Sequence, residues 1–272
     1  MKYCRFNLNG SAHYGLVESA GGNNKNNEDE ITRLLLQPPH TSDGDVEGLP
    51  SRRMDRIPLA QATLLPPVQP SKIVCVGRNY REHAAELGNE VPNEPLLFFK
   101  PPSSLLAPGG TIVRPKISER TDYEGELAVV IARRCHQLAD NDDVRPYVLG
   151  YTCLNDFTAR DLQKKEPQWV RGKGFDTFCP VGPHIETELD PHDVLVEAHV
   201  NGTQKQSGST SLMVFPVAFL VRWISRMMTL VPGDLIATGT PAGVGALVAG
   251  DTVEVSVTGI GMLRNPVHSS QA

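Results

Sequence analysis

The chain has 272 residues with 31 acidic and 26 basic side chains, a formal net charge of −5, which gives no electrostatic reason to expect nucleic acid. Its 40% apolar content suffices for one large domain, or a large and a small one, and 22 prolines with 24 glycines favour strands and turns over a helical bundle. Five dispersed cysteines without a CxxC pair speak against a disulfide framework or a thiolate zinc site; with no apolar run of ~18 residues and no signal-peptide pattern in MKYCRFNLNG, the expected setting is cytoplasmic, without a membrane.

Residues 1–66 alternate apolar and polar in short pieces, broken by GGNNKNNEDE (21–30), whose polar, glycine-rich composition predicts a loop. LLPPVQPSK (64–72) is a proline-stiffened connector, so the expected division is a small N-terminal α+β domain over 1–68 and a larger domain over 69–272. IVCVG (73–77) reads as a short buried strand. RNYREHAAELGN (78–89) then reads as a helix with Asn79 as N-cap and Gly88 closing it. Strands are expected over 95–100, 126–132, 147–155, 194–202, 234–240 and 251–261, and helices over 157–165 and 215–228. On the last helix, Trp223, Met227 and Met228 read as core. Strands outnumber helices without alternating regularly with them. The expected class is therefore α+β, a mixed and mainly antiparallel β fold with a few helices.

TDYEGELAVV (121–130) sets Glu124 and Glu126 one residue apart in an otherwise apolar run. In an extended strand their side chains share a face, and two buried like charges need a positive partner. A hard divalent cation suits them, and Asp156, at the strand-to-helix junction of CLNDFTARD, offers a third carboxylate. The same spacing also fits two glutamates on the wet face of an edge strand with Asp156 as a helix cap. The pattern alone does not choose between them.

VGRNYREHAAELG (76–88), YEGELAVVI (123–131), YTCLNDFTARDLQ (151–163), GKGFDTFCPVGP (172–183), GDLIATGTPAGVG (233–245) and GIGMLRNPV (259–267) occur together and in order. This set resembles the fumarylacetoacetate hydrolase family, in particular its bacterial, acylpyruvase-like branch, from about residue 70 to the C-terminus. The resemblance implies a mainly β mixed-sheet roll as the catalytic domain and a homodimer. It also implies metal ligation by Glu124, Glu126 and Asp156, with Mg²⁺ or Mn²⁺ as the ion and Ca²⁺ as an alternative. Lys173 falls beside the metal and the substrate oxygens, and Thr177 on a position that adds to the metal surroundings in some members.

His83 and Glu86 lie three apart on the predicted helix and can meet on one face, imidazole as base and carboxylate as orienter. The resemblance assigns this pair to water activation on a lid helix. It also brings Arg78 and Gln163 to the substrate, and Thr240 of TGTPAGVG to the substrate carboxylate. That loop lacks the GK[ST] ending of a phosphate loop. Lys100, closing LFFK, reads either as a grip on the far end of the substrate or as a snorkelling strand end.

The implied substrate is a small 2-oxo acid. The expected activity is metal-dependent hydrolysis of a C–C bond in a 2,4-dioxo acid of the acylpyruvate or fumarylpyruvate type, giving pyruvate and a carboxylic acid. Oxaloacetate-type decarboxylation and 2-hydroxyhepta-2,4-diene-1,7-dioate-type isomerisation are the alternatives on the same site. A non-catalytic metal-binding homologue is a more distant one.

Overall fold

The computed structural model describes residues 1–19, 29–39 and 49–270. Most of the loop expected over 21–30 lies outside the described residues; its last two, Asp29 and Glu30, open a strand. The main sheet runs, in spatial order, through Ser51–Pro58, Asp29–Leu35, Ser11–Ser19, Lys2–Leu8, Cys179–Glu186, Val148–Asn155, Gly125–Ile131, Leu235–Ala237, Ile73–Gly77 and Leu96–Lys100. Its neighbours along this path are antiparallel except Leu235–Ala237 beside Ile73–Gly77, so the sheet is mixed and mainly antiparallel. Among the described residues there are also a second sheet of five strands and a third of three.

Gly125–Ile131 explains its own composition. It lies between two partners with every residue buried, and a strand covered on both faces has no wet side to make polar. Leu127, Val129 and Ile131 enter one core and Ala128 and Val130 another. Ala128, Ala237, Cys75 and Phe98 form one cross-strand row. By the two-residue alternation of side chains, Glu126 and Lys100 project from that same face. The opposite face is covered by helix α4 (Val217–Met227; numbering below follows chain order), through Val217, Leu220, Val221 and Ile224.

Among the described residues the three other α-helices are short: α1 (Arg81–Glu86), α2 (Arg160–Lys165) and α3 (Val170–Lys173). Asn79 does not cap α1, whose N-cap position is Tyr80. Asn79 is buried instead and ties three segments together, donating to the Phe215 and Thr238 carbonyls at 3.1 and 2.7 Å and accepting from the Phe215 amide at 2.8 Å. Gly88 does close α1, at φ +68°. The helix expected from 157 starts at Arg160, because Thr158–Ala159 pairs with Thr121–Tyr123.

Cys179–Glu186 is a fully formed strand that Pro180, Gly182 and Pro183 disguise as a turn region. Met228, the C-cap of α4, is half-buried and packs against the core. The core expectation fails for two residues: Met227 is 53% exposed and Trp223 is half-buried, because they lie off the Val217–Leu220–Val221–Ile224 stripe. Trp223 stacks on Phe219 at 5.7 Å instead.

Among the described residues of 1–68 there are five strands, a 3₁₀ turn at Leu59–Gln61 and no α-helix. It has its own small core of Cys4, Phe6, Val17, Ile31 and Leu34. It continues the main sheet through the pairs Lys2–Glu186 and Tyr3–Ile185. No described helix is long and apolar enough to cross a membrane.

Candidate active site

A cavity of about 540 Å³ opens where the strand Ile73–Gly77 hands over to α1 and where Gly125–Ile131 begins. Arg78, His83, Glu86, Glu124, Glu126, Asp156, Gln163, Lys173 and Thr240 all line it. Thr177 does not. It sits at φ +70° and its hydroxyl accepts from the Val113 amide at 2.9 Å.

Glu124, Glu126 and Asp156 are 4%, 2% and 1% exposed, and one oxygen from each lies within 4.8 Å of the others. The wet-face alternative is therefore excluded. Three cations surround them. The Lys173 ammonium donates to Glu124 Oε2 at 2.7 Å and Asp156 Oδ2 at 2.6 Å. Lys100, itself 1% exposed, donates to Asp156 Oδ1 at 2.6 Å and the Phe157 carbonyl at 3.1 Å, so it is neither a snorkelling residue nor a distal grip. Arg160 donates to Glu124 Oε1.

Burial raises the Glu124 pKa, but Lys173 and then Arg160 outweigh burial and hold it below the ordinary carboxylate range. Glu126 is different: among the described residues its hydrogen bond comes from the Gly239 amide, at 2.8 Å, and no cation pairs with it. Burial, then Asp156 and Glu124, push its pKa well up. A buried carboxyl flanked by two carboxylates and left without a cation is the observation that fits a divalent ion, and the donors are all hard oxygens.

His83 is 4% exposed, with Nδ1 3.4 Å from Glu86 Oε2. The Glu86 carboxylate accepts from the Gly243 amide at 3.1 Å, so the orienting group is itself held. A carboxylate only accepts; the pairing places the hydrogen on Nδ1 and leaves the Nε2 lone pair as the basic site. Burial lowers the His83 pKa, partly offset by Glu124, and favours the neutral imidazole that a base requires.

Arg78 occupies the left-handed region at φ +57°, with its guanidinium 6.0 Å above the Trp169 ring. Among the described residues it forms no ion pair, which leaves its charge for an anion in the cavity. Gln163 Oε1 accepts from Arg160 Nη1 at 2.7 Å, so its amide NH₂ remains for a substrate oxygen. Thr240 lines the cavity, but its hydroxyl donates to the Gly125 carbonyl at 2.8 Å and accepts from Gln206 at 2.8 Å. It is a strut here rather than an open donor.

Sequence reasoning passed over Arg160 and Asp122. Asp122 is fully buried and accepts from Arg160 Nε at 3.0 Å and from Arg120 Nε at 2.8 Å. The alternation that selected Glu124 and Glu126 extends back to Asp122 and Arg120, and that signal was present in the residues.

Residues 72–268 match the fumarylacetoacetate (FAA) hydrolase C-terminal family and residues 1–67 the Rv2993c-like N-terminal family. The chain is 42% identical over 224 residues to the oxaloacetate tautomerase YisK of Bacillus subtilis, spanning 77% of this chain and 74% of that one. It resembles the crystal structure of 5-carboxymethyl-2-hydroxymuconate delta-isomerase from Mycobacterium smegmatis with a TM-score of 0.87 and 38% identity, over 99% of this chain and 100% of that one. For the fumarylpyruvate hydrolase from Pseudomonas aeruginosa, solved in complex with Mn²⁺ and pyruvate, the TM-score is 0.69 at 31% identity, over 75% of this chain and 91% of that one.

Proposed function

The chain belongs to the fumarylacetoacetate hydrolase family, and we propose that it hydrolyses a C–C bond in 2,4-dioxo acids, yielding pyruvate or a homologue and a carboxylic acid, with a divalent metal as cofactor. The carrying observation is His83 held by Glu86 in the cavity that the Glu124–Glu126–Asp156 triad also lines. Those three carboxylates would hold Mg²⁺ or Mn²⁺, and the ion supplies electrophilic activation of a 2-oxo acid. His83 takes a proton from water through Nε2, while Glu86 stabilises the imidazolium that results. Arg78 and the Gln163 amide bind the carboxylate and oxo oxygens of the substrate. Lys173, with two of its three hydrogens on Glu124 and Asp156, keeps the third for a developing oxyanion.

Purified protein incubated with acetylpyruvate and Mg²⁺, with an EDTA control, tests the reading by loss of diketone absorbance and appearance of pyruvate. His83→Ala is expected to lower kcat by roughly 10²–10⁴-fold. An activity that EDTA leaves intact would sink the reading.

A second reading has specific support. The Bacillus subtilis relative is an oxaloacetate tautomerase and the Mycobacterium smegmatis structure a delta-isomerase, and a histidine that moves protons between carbon and oxygen serves either reaction. Turnover of oxaloacetate enol without pyruvate release from acetylpyruvate would favour it. The reading carries with it a cytoplasmic, homodimeric enzyme, and light scattering after gel filtration tests the dimer.

A further inference from the structure

Arg120, Asp122, Glu124 and Glu126 are alternate residues of one extended segment, and all but the buried Asp122 line the cavity. The Arg120 side chain is 53% exposed and the Asp122 side chain 0%. Asp122 receives Arg120 in a forked contact, Nε at 2.8 Å and Nη2 at 3.2 Å, and receives Arg160 Nε at 3.0 Å on its second oxygen. Arg160 is 4% exposed and has all three nitrogens engaged: Nε on Asp122, Nη1 on Gln163 and Nη2 on Glu124. A planar guanidinium pinned at one corner has no remaining freedom in the directions of the other two.

We propose that Asp122 is a positioning residue for the metal centre, acting through Arg160. It holds the guanidinium back from full engagement with Glu124 and turns the Gln163 amide NH₂ toward the cavity. It also takes a share of the Arg160 charge. Without that share the whole charge falls on Glu124, whose Oε2 already receives Lys173, and Glu124 becomes a poorer donor to a cation. The inference rests on the acidic triad binding a divalent ion and is independent of which reaction follows.

The test is Mn²⁺ titration of EDTA-treated, dialysed full-length protein by calorimetry and by electron paramagnetic resonance of free Mn²⁺, with melting temperatures in parallel. Asp122→Asn retains an acceptor and the side-chain shape, and is expected to raise the Mn²⁺ Kd at least tenfold. Arg160→Gln frees Glu124 from its competitor and is expected to lower it. In the double variant the tenfold loss disappears, because the residue through which Asp122 acts is gone.

Asp122→Asn binding within threefold of wild type would overturn the inference, as would a loss that persists undiminished in the Arg160→Gln background. If Asp122→Asn does not fold, Arg160→Gln alone decides: unchanged Mn²⁺ affinity overturns the linkage. Wild-type protein that binds no Mn²⁺ would instead sink the metal reading itself, a separate outcome.

Discussion

Gly239→Ala joins backbone, packing and site in one perturbation. Gly239 sits at φ +98°, and a Cβ there would meet Asn79 Cβ at 2.7 Å and the Val76 carbonyl oxygen at 3.1 Å. Forcing an alanine into a positive-φ conformation costs about 1–2 kcal/mol, and the overpacking adds roughly 1–3 kcal/mol. Neither contact can yield cheaply, because Asn79 is bonded to Phe215 and Thr238 and Val76 belongs to a strand with a neighbour on each side. The expected destabilisation is about 2–5 kcal/mol, or about 4–20 °C in Tm for a domain of this size. The loop can relieve the clash only by moving its amide away from Glu126. Mn²⁺ affinity should therefore fall along with Tm. The assay is thermal unfolding by circular dichroism beside Mn²⁺ calorimetry. A Gly239→Ala protein that melts within 1 °C of wild type and binds Mn²⁺ equally well would refute the reasoning.

His184 is buried, among the described residues neither ring nitrogen has a hydrogen-bond partner, and burial, then Lys2, lower its pKa from 6.5 to about 4. The unfolded chain takes up a proton below pH 6.5 that the folded chain refuses until about pH 4, so this contribution is complete above 6.5 and is lost as pH falls across that window. The gap corresponds to at most about 3 kcal/mol; urea titrations at pH 7 and 4.5 should show it, and His184→Leu should remove it. A pH dependence identical in the variant would contradict the assignment. Asp234 is fully buried and accepts from the Ser71 amide, the Ser71 hydroxyl, the Lys72 amide and the Val231 amide at 2.7–3.1 Å, and from the Lys72 ammonium. It clamps the end of the proline-rich connector onto the main sheet, and Asp234→Ala should lower unfolding stability by about 3–5 kcal/mol. A change below 1 kcal/mol in the urea midpoint analysis would count against the clamp.

The acidic triad was legible because its signal is local. Alternation brings Glu124 and Glu126 to one face, and Asp156 stands beside the helix that follows the partner strand. The triad's cationic partners were not legible in the same way. Lys100 and Lys173 lie 56 and 17 residues from Asp156, and only the folded sheet shows that a lysine closing one strand reaches a carboxylate beyond another. Lys100 does close a strand, but its sequence neighbours could not reveal the ion pair with Asp156 that replaces a snorkelling end or a distal grip. The resemblance brought Thr240 to the substrate carboxylate, and nothing in the sequence could reveal Gln206 and the Gly125 carbonyl on its hydroxyl. Cys179–Glu186 was missed because prolines and a glycine normally interrupt pairing. Trp223 and Met227 were placed in the core because apolar character alone does not say which side of a helix is covered.

The account stands on Glu126 being a metal ligand rather than a buried neutral acid. Mn²⁺ calorimetry on EDTA-treated wild type and Glu126→Gln, which has the same shape and no charge, tests this most directly. One Mn²⁺ per chain in the wild type, with affinity reduced by about 100-fold or more in the variant, is the predicted result. Equal binding by the two proteins, or no binding by the wild type, would contradict it.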